Sequence, residues 1–254
     1  MRRFIDLSVP LDNDAKEPFP PHIEYQNHRD SLPLAARAFG IQESDWPDGK
    51  AWAAEEVTLT THTGTHVDAP YHYWDTTAGK PAKTVDELPL EWFYGPGVLL
   101  DFTHKRAGEE ISRDEVETAL ARISHTLHPG EIVLVRTGCD KLLFEPGFMD
   151  AHPGMSADAT RYLIECGIKV MGTDAYGWDV PFHVQGEQFR ATGNPDVIWA
   201  AHYVGKELEY CQIEKLANLD KIPSPTGFTV VAFPVKLARA SASWVRPVAI
   251  VEED

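Results

Sequence analysis

The chain has 254 residues, enough for one large domain whose core needs no disulfide staples, and its composition is ordinary for a soluble globular protein. Its formal net charge of −16 repels nucleic-acid phosphate and anionic membrane, which makes both poor partners. Cys139, Cys166 and Cys211 lie far apart and form no CxxC pair, so neither a disulfide framework nor a thiolate zinc site is indicated.

The opening MRRFIDLSVPLD has no apolar run of signal-peptide length, and no stretch approaches the ~20 apolar residues of a membrane span, so a cytoplasmic location is expected. Residues 3–10 alternate and predict a first strand. Residues 13–50 are rich in Pro, Asp, His and Asn; they predict a long surface excursion with a short helix around 33–39. Long loops often serve as lids or binding walls. The aromatics Phe19, Tyr25, Phe39 and Trp46 therefore either line the active site or anchor the excursion to the body.

Residues 55–61 have strong β composition, and 97–103 read as a buried strand. Ser112 followed by Glu115 signals a helix start, and Val116, Ala119, Leu120 and Ile123 continue at helical spacing, predicting a helix over 112–124. EIVLVRT (131–137) is a second buried strand, with Cys139 a core thiol just beyond it. Ser156 caps a second helix over 156–167, and 169–174 forms a third apolar strand. Residues 175–197 read as loop and 212–219 as a short helical turn. Residues 228–237 and 245–251 are closing strands. Strands alternating with two helices, then a strand-rich end, indicate a mixed α/β fold. Without repeat or linker, the expectation is a single domain over 1–254: a central mixed sheet or barrel-like core with flanking helices.

The chemistry concentrates in HTGTHVDAPYH. Within eleven residues it places His62, His66, Asp68 and His72 at even offsets, so an extended chain would point all four to one face. Imidazole and carboxylate are the usual ligands of catalytic zinc and manganese. Full extension would hold His62 and His66 about 13 Å apart at ~3.3 Å per residue. Gly64 permits the bend that closes this distance, and Pro70 bends the chain again before His72. The Thr and Gly content disfavours a helix here, so the site is expected on a bulged strand running into a loop. The plain alternative is chance clustering among eleven histidines.

This segment resembles the HxGTHxDxPxH signature of the cyclase-like metal-dependent hydrolases, the kynurenine formamidase and isatin hydrolase type. RFIDLSVPL, VLVRTG, MGTDAYGWD, the stretch from Ala201-His202 to Glu214, and the closing strands resemble the family as well; residues 13–50 match least. The resemblance implies that His62, His66 and Asp68 hold a divalent metal, Mn2+ or Zn2+, and that His72 is the catalytic acid/base. It also implies that His202 and Glu214 can hold a second ion, which leaves one or two open; Gln212 lies close enough to confuse the Glu214 assignment. Taken alone, His202 after an apolar run could be structural, and Glu214 could pair with Lys215 or Lys206. His104, His125, His128, His152 and His183 have no motif support and read as solvated or structural.

The implied activity is hydrolysis of a C–N bond in a small cyclic amide or imide by metal-activated water. Arylformamidase and lactone hydrolase are the alternatives of the same chemistry, and a metal- or ligand-binding protein without turnover is the non-enzymatic one. No GxSxG elbow supports a serine hydrolase. Trp46, Trp52, Tyr73, Trp74, Tyr176 and Trp178 lie near the motif segments and suit a planar small-molecule substrate, or else pack the core. A homodimer or homotetramer is expected by resemblance.

Overall fold

A computed structural model of the chain describes residues 1–253. Nine strands join in one mixed sheet: β1 (Arg2–Asp6), β2 (His66–Asp68), β3 (Tyr94–Asp101), β4 (Ile132–Arg136), β5 (Val170–Thr173), β6 (Cys211–Glu214), β7 (Phe228–Val231), β8 (Ala242–Trp244) and β9 (Val248–Glu252). Their order is β1-β9-β7-β3-β4-β5-β6-β2-β8. The middle strands β3 to β6 run parallel, and every other neighbour pair is antiparallel.

The apolar runs of the middle strands follow from burial on both faces. Val98, Leu100, Val133 and Val135 face a cluster with Val116, Leu120, Ala159 and Leu163, which come from helices α3 (Arg113–Arg122) and α4 (Ala157–Glu165) of the five helices in chain order. The alternate residues Leu99, Ile132 and Leu134 join Ile5 of β1, Val67 of β2 and Val251 of β9 in a second cluster. Strands from opposite ends of the sheet thus share one core, because the sheet curls into a half-barrel around it. The mixed α/β expectation, with a barrel-like central sheet and flanking helices, is met.

Helices α3 and α4 start where capping chemistry predicts. Ser112 Oγ accepts from the Glu115 amide while the Ser112 amide donates to Glu115 Oε2, and Ser156 Oγ accepts from the Ala159 amide. The excursion holds helix α1 (Leu32–Phe39), flanked by a two-stranded ribbon of His22–Gln26 against Ala54–Thr58. The β-rich 55–61 segment therefore contributes to this ribbon and not to the main sheet.

Two expectations are corrected. Residues 175–197 are not all loop: Phe182–Thr192 is a helix, α5, closed by Gly193 at φ 67°. It buries only Gln185, so its sequence shows no apolar stripe. Residues 212–219 do not form a helical turn. Cys211–Glu214 is strand β6, buried along its whole length, and a 3-10 turn follows only at Leu219–Lys221.

Candidate metal centre and active-site cavity

The site is built where β2 lies between β6 and β8. In register, His66 faces Glu214 and Asp68 faces Gln212 across the antiparallel pair. Directly opposed residues share a face, so this register sets an imidazole–carboxylate pair beside a carboxylate–amide pair. His62 precedes the strand on a turn. Gly64 sits there at φ 64°, a left-handed conformation that favours glycine. After β2, Pro70 opens the one-turn helix α2 (Pro70–Tyr73), which carries His72 back over Asp68. The motif is thus turn, strand and helix, not a bulged strand followed by a loop.

Three donor atoms converge. His62 Nδ1 lies 3.0 Å and His66 Nε2 3.3 Å from Asp68 Oδ1, and the two nitrogens are 3.2 Å apart. Ligands about 2.1 Å from a tetrahedral ion stand roughly 3.4 Å from one another, close to this triangle. Asp68 Oδ1 is buried and has no hydrogen-bond partner among the described residues. An orphaned carboxylate oxygen between two imidazole nitrogens is what a cation site presents. His66 Nδ1 donates to the Gly64 carbonyl at 2.8 Å, which leaves the Nε2 lone pair free for the centre.

The remaining predicted residues meet at the same point. His72 Nε2 is 3.8 Å from Asp68 Oδ2. His202 Nε2 is 3.7 Å from Glu214 Oε1 and 4.0 Å from Asp68 Oδ2. Glu214 Oε2 is 3.7 Å from His66 Nε2. His202 Nδ1 donates to Asp179, whose carboxylate also accepts the Ala201 and His202 amides. Between His202 and Glu214 lies the fully buried Gln212. Its Nε2 donates to Glu214 Oε1 at 2.9 Å and to Asp68 Oδ2 at 3.2 Å, and it faces His202 Nε2 at 2.8 Å.

Electrostatics follow from this crowding. Burial alone would raise the Asp68 carboxyl, but His72, His62 and His66 outweigh it and hold it well below the usual range. Burial, then the neighbouring Asp68, raises Glu214. Burial pushes His72 down to about 4, helped by the positive charge of His62 and His202. Burial opposes protonation of His202, yet Asp179 carries it up to about 9. The Gln212 N–H can face only an imidazole lone pair, so its contact with Nε2 belongs to the singly protonated ring, with the proton on Nδ1 toward Asp179.

Above the centre opens a cavity of about 310 Å³, walled by Phe19, Met149, Tyr176, Phe182 and Trp199. Of the aromatics expected near the motif, Tyr176 and Trp178 line it. Tyr73 lies beneath the floor, stacked on Tyr210 and donating to the Asp68 carbonyl. Trp74 packs against Tyr203 and Lys206, whereas Trp46, Trp52 and Phe39 form their own cluster in the excursion. Tyr25 is exposed. The sequence reading missed Trp199, Phe182, Glu17 and His152 as cavity residues. For Trp199 the only signal was proximity to His202. Cys139 is the core thiol expected: its Sγ–H donates to the Ala151 carbonyl and burial raises it to about 11.

Similarity to known proteins agrees with this arrangement. The chain is 29% identical over 221 residues to isatin hydrolase of Roseibium aggregatum, covering 83% of this chain and 79% of that protein. It is 27% identical over 248 residues to kynurenine formamidase of Bacillus anthracis, covering 97% and 96%. The solved structure of isatin hydrolase A from Ralstonia solanacearum matches with a TM-score of 0.78 and 25% identity, over 99% of this chain and 92% of that one. A family profile described as putative cyclase matches residues 5–180, well over half the chain, and with it the chain belongs to the cyclase family that the HTGTHVDAPYH motif announces.

Proposed function

We propose that this chain is a metal-dependent hydrolase that opens the C–N bond of a small cyclic amide or imide, with His62, His66 and Asp68 holding one divalent cation, Mn2+ or Zn2+. The observation that carries the reading is the donor triangle around the orphaned Asp68 Oδ1 at the floor of an aromatic-walled cavity. When bound there, a divalent cation lowers the pKa of water towards neutrality and polarises a carbonyl oxygen.

The chain's own residues supply the rest. His72 reaches over Asp68 Oδ2 from the cavity side and is placed to take a proton from the attacking water and return it to the leaving nitrogen. Its burial keeps the ring neutral and able to accept. Trp199, Tyr176 and Phe19 offer flat apolar walls to a planar ring and exclude water from it. The Gln212 amide fills the space between His202 and the two carboxylates, which favours one ion over two.

A second reading, arylformamidase action on an N-formyl aromatic amine, is favoured by the Glu214 carboxylate facing His202, the pair that a second cation would use. The whole chain is taken as one functional unit, with Glu17 and Phe19 of the excursion at the cavity wall. Among the described residues no helix is long and apolar enough to cross a membrane; a cytoplasmic homodimer or homotetramer is proposed by family resemblance, and a solution mass of one chain would refute the assembly.

The test is elemental analysis of the purified protein beside His66→Ala, each assayed with isatin and N-formylkynurenine. One Mn or Zn per chain, lost in the variant together with isatin opening, supports the reading. Formamidase activity alone selects the second. A protein that takes up no metal even after reconstitution refutes both.

A further inference from the structure

Of the three donors, His66 and Asp68 are held by strand pairing, but His62 stands on a turn and is the most exposed, with 32% of its side chain accessible. What fixes that turn comes from two distant segments. Lys215 Nζ donates to the His62 carbonyl at 2.7 Å and to Glu17 Oε2 at 2.5 Å. The Glu17 carboxylate accepts the Gly64 amide, at 3.1 Å to Oε1 and 3.3 Å to Oε2. Thr63 Oγ1 donates to the Phe19 carbonyl at 2.9 Å, and Thr65 Oγ1 donates to the Lys215 carbonyl at 2.6 Å. Each residue from His62 to Thr65 is thereby tied to Glu17, Phe19 or Lys215.

The pair is costly to build. Both side chains are only 3% exposed, and Lys215 takes a φ of 57°, in the left-handed region that a residue with a Cβ adopts under strain. A buried ion pair is weak evidence for stability, since apolar residues of the same volume commonly do as well. Its worth here lies in what it grips: the ammonium holds the carbonyl before Thr63 and the carboxylate holds the amide after it. Lys215 also follows Glu214 directly, so the same residue links the turn to the end of β6.

We infer that the buried Glu17–Lys215 ion pair is a positioning clamp that sets the His62 turn in register with His66 and Asp68 and so completes the cation site. The inference rests on the proposed role of His62, His66 and Asp68 as cation ligands. Neither Glu17 nor Lys215 is a ligand or a catalytic residue in it. Partners that orient metal ligands from behind typically change metal affinity about 10–100-fold when removed.

The test is calorimetric titration of Mn2+ into metal-free protein for the wild type, Lys215→Met, Glu17→Gln and the double variant, with circular dichroism to confirm folding. Lys215→Met is expected to weaken Mn2+ binding about tenfold, and Glu17→Gln, which keeps an acceptor for the Gly64 amide, about threefold. The double variant is expected to lose no more than Lys215→Met alone, because the two act as a unit. At saturating Mn2+, kcat is expected to fall with KM unchanged. If Lys215→Met does not fold, Glu17→Gln decides. Folded variants that bind Mn2+ as the wild type does overturn the clamp, and so does a raised KM with unchanged Mn2+ affinity, which would make Lys215 a substrate contact. Failure of the wild type itself to bind Mn2+ is a different result and refutes the cation site first.

Discussion

Trp199 stacks on His202, with ring centroids 4.7 Å apart and planes inclined by 13°. Its backbone is held at a φ of 52°, uncommon for a bulky residue. The hold is specific: the Trp199 amide donates to Gln185 Oε1 at 2.8 Å, while Gln185 Nε2 donates to the Val180 carbonyl at 2.6 Å. Strained backbone that its surroundings enforce concentrates at functional sites. Here it turns an indole face toward the cavity between His202 and His72, whose ring lies 5.2 Å away.

Trp199→Ala is expected to raise KM for an aromatic substrate about threefold to tenfold, since an aromatic pair contributes roughly 0.5–1.5 kcal/mol beyond area burial. The change in kcat should be smaller, because Asp179 still orients the His202 ring. Steady-state kinetics on the hydrolysed compound check this. A KM equal to that of the wild type would remove Trp199 from the substrate wall.

Legibility in the sequence tracked the range over which each feature is specified. Strand β4 is readable because Ile132 to Val135 are apolar without a break, and helix α3 because Ser112 and Glu115 cap it three residues apart. The motif is readable because four donors lie within eleven residues. Gln212 reaches the centre only through the register of β6 on β2, 144 residues from Asp68, and Glu17 meets Lys215 across 198 residues. No local pattern announces such pairings. Helix α5 escaped for another reason: with one buried residue and Gly186 inside it, it carries neither an apolar stripe nor strong propensity.

The Gln212 amide nitrogen faces two carboxylate oxygens and an imidazole nitrogen. It occupies the point where a second cation would sit between His202, Glu214 and Asp68. The wild type is therefore expected to take up one Zn2+ per chain. Gln212→Ala opens that space, and its expected stoichiometry rises towards two. Equilibrium dialysis with metal analysis reads both numbers. Two ions in the wild type would mean that the amide turns aside on loading, and one ion in the variant would mean that the amide is not what keeps the second out.

Gly205 lies in the 3-10 turn His202–Lys206, and a Cβ there would fall 2.2 Å from Tyr73 Cδ2. Tyr73 cannot withdraw easily. It is buried, stacks on Tyr210 at 4.7 Å and donates to the Asp68 carbonyl at 3.3 Å. Gly205→Ala is expected to cost about 1–3 kcal/mol of stability through overpacking, measured by urea unfolding. Tyr73→Leu in the same chain should recover part of that loss, because the two positions share one clash. Additive losses would show that the strain is taken up elsewhere.

His152 lies buried against the cavity, with Nδ1 2.9 Å from the Pro153 carbonyl. Burial outweighs its backbone hydrogen bonds and the nearby Asp150 and Asp179, and holds its pKa below the ordinary 6.5. Below that pH the unfolded chain takes up a proton that the folded chain refuses, so the unfolded state binds more protons and stability falls as pH falls. This contribution is whole above about pH 6.5 and is lost on acidification, at up to about 1.4 kcal/mol per pH unit from this one group. His152→Gln removes the titration. Between about pH 7.5 and pH 5.5 the wild type should therefore lose more stability than the variant, as read from urea unfolding with the metal removed. Two curves that fall in parallel would show that His152 accepts its proton in the folded protein as readily as in the unfolded chain.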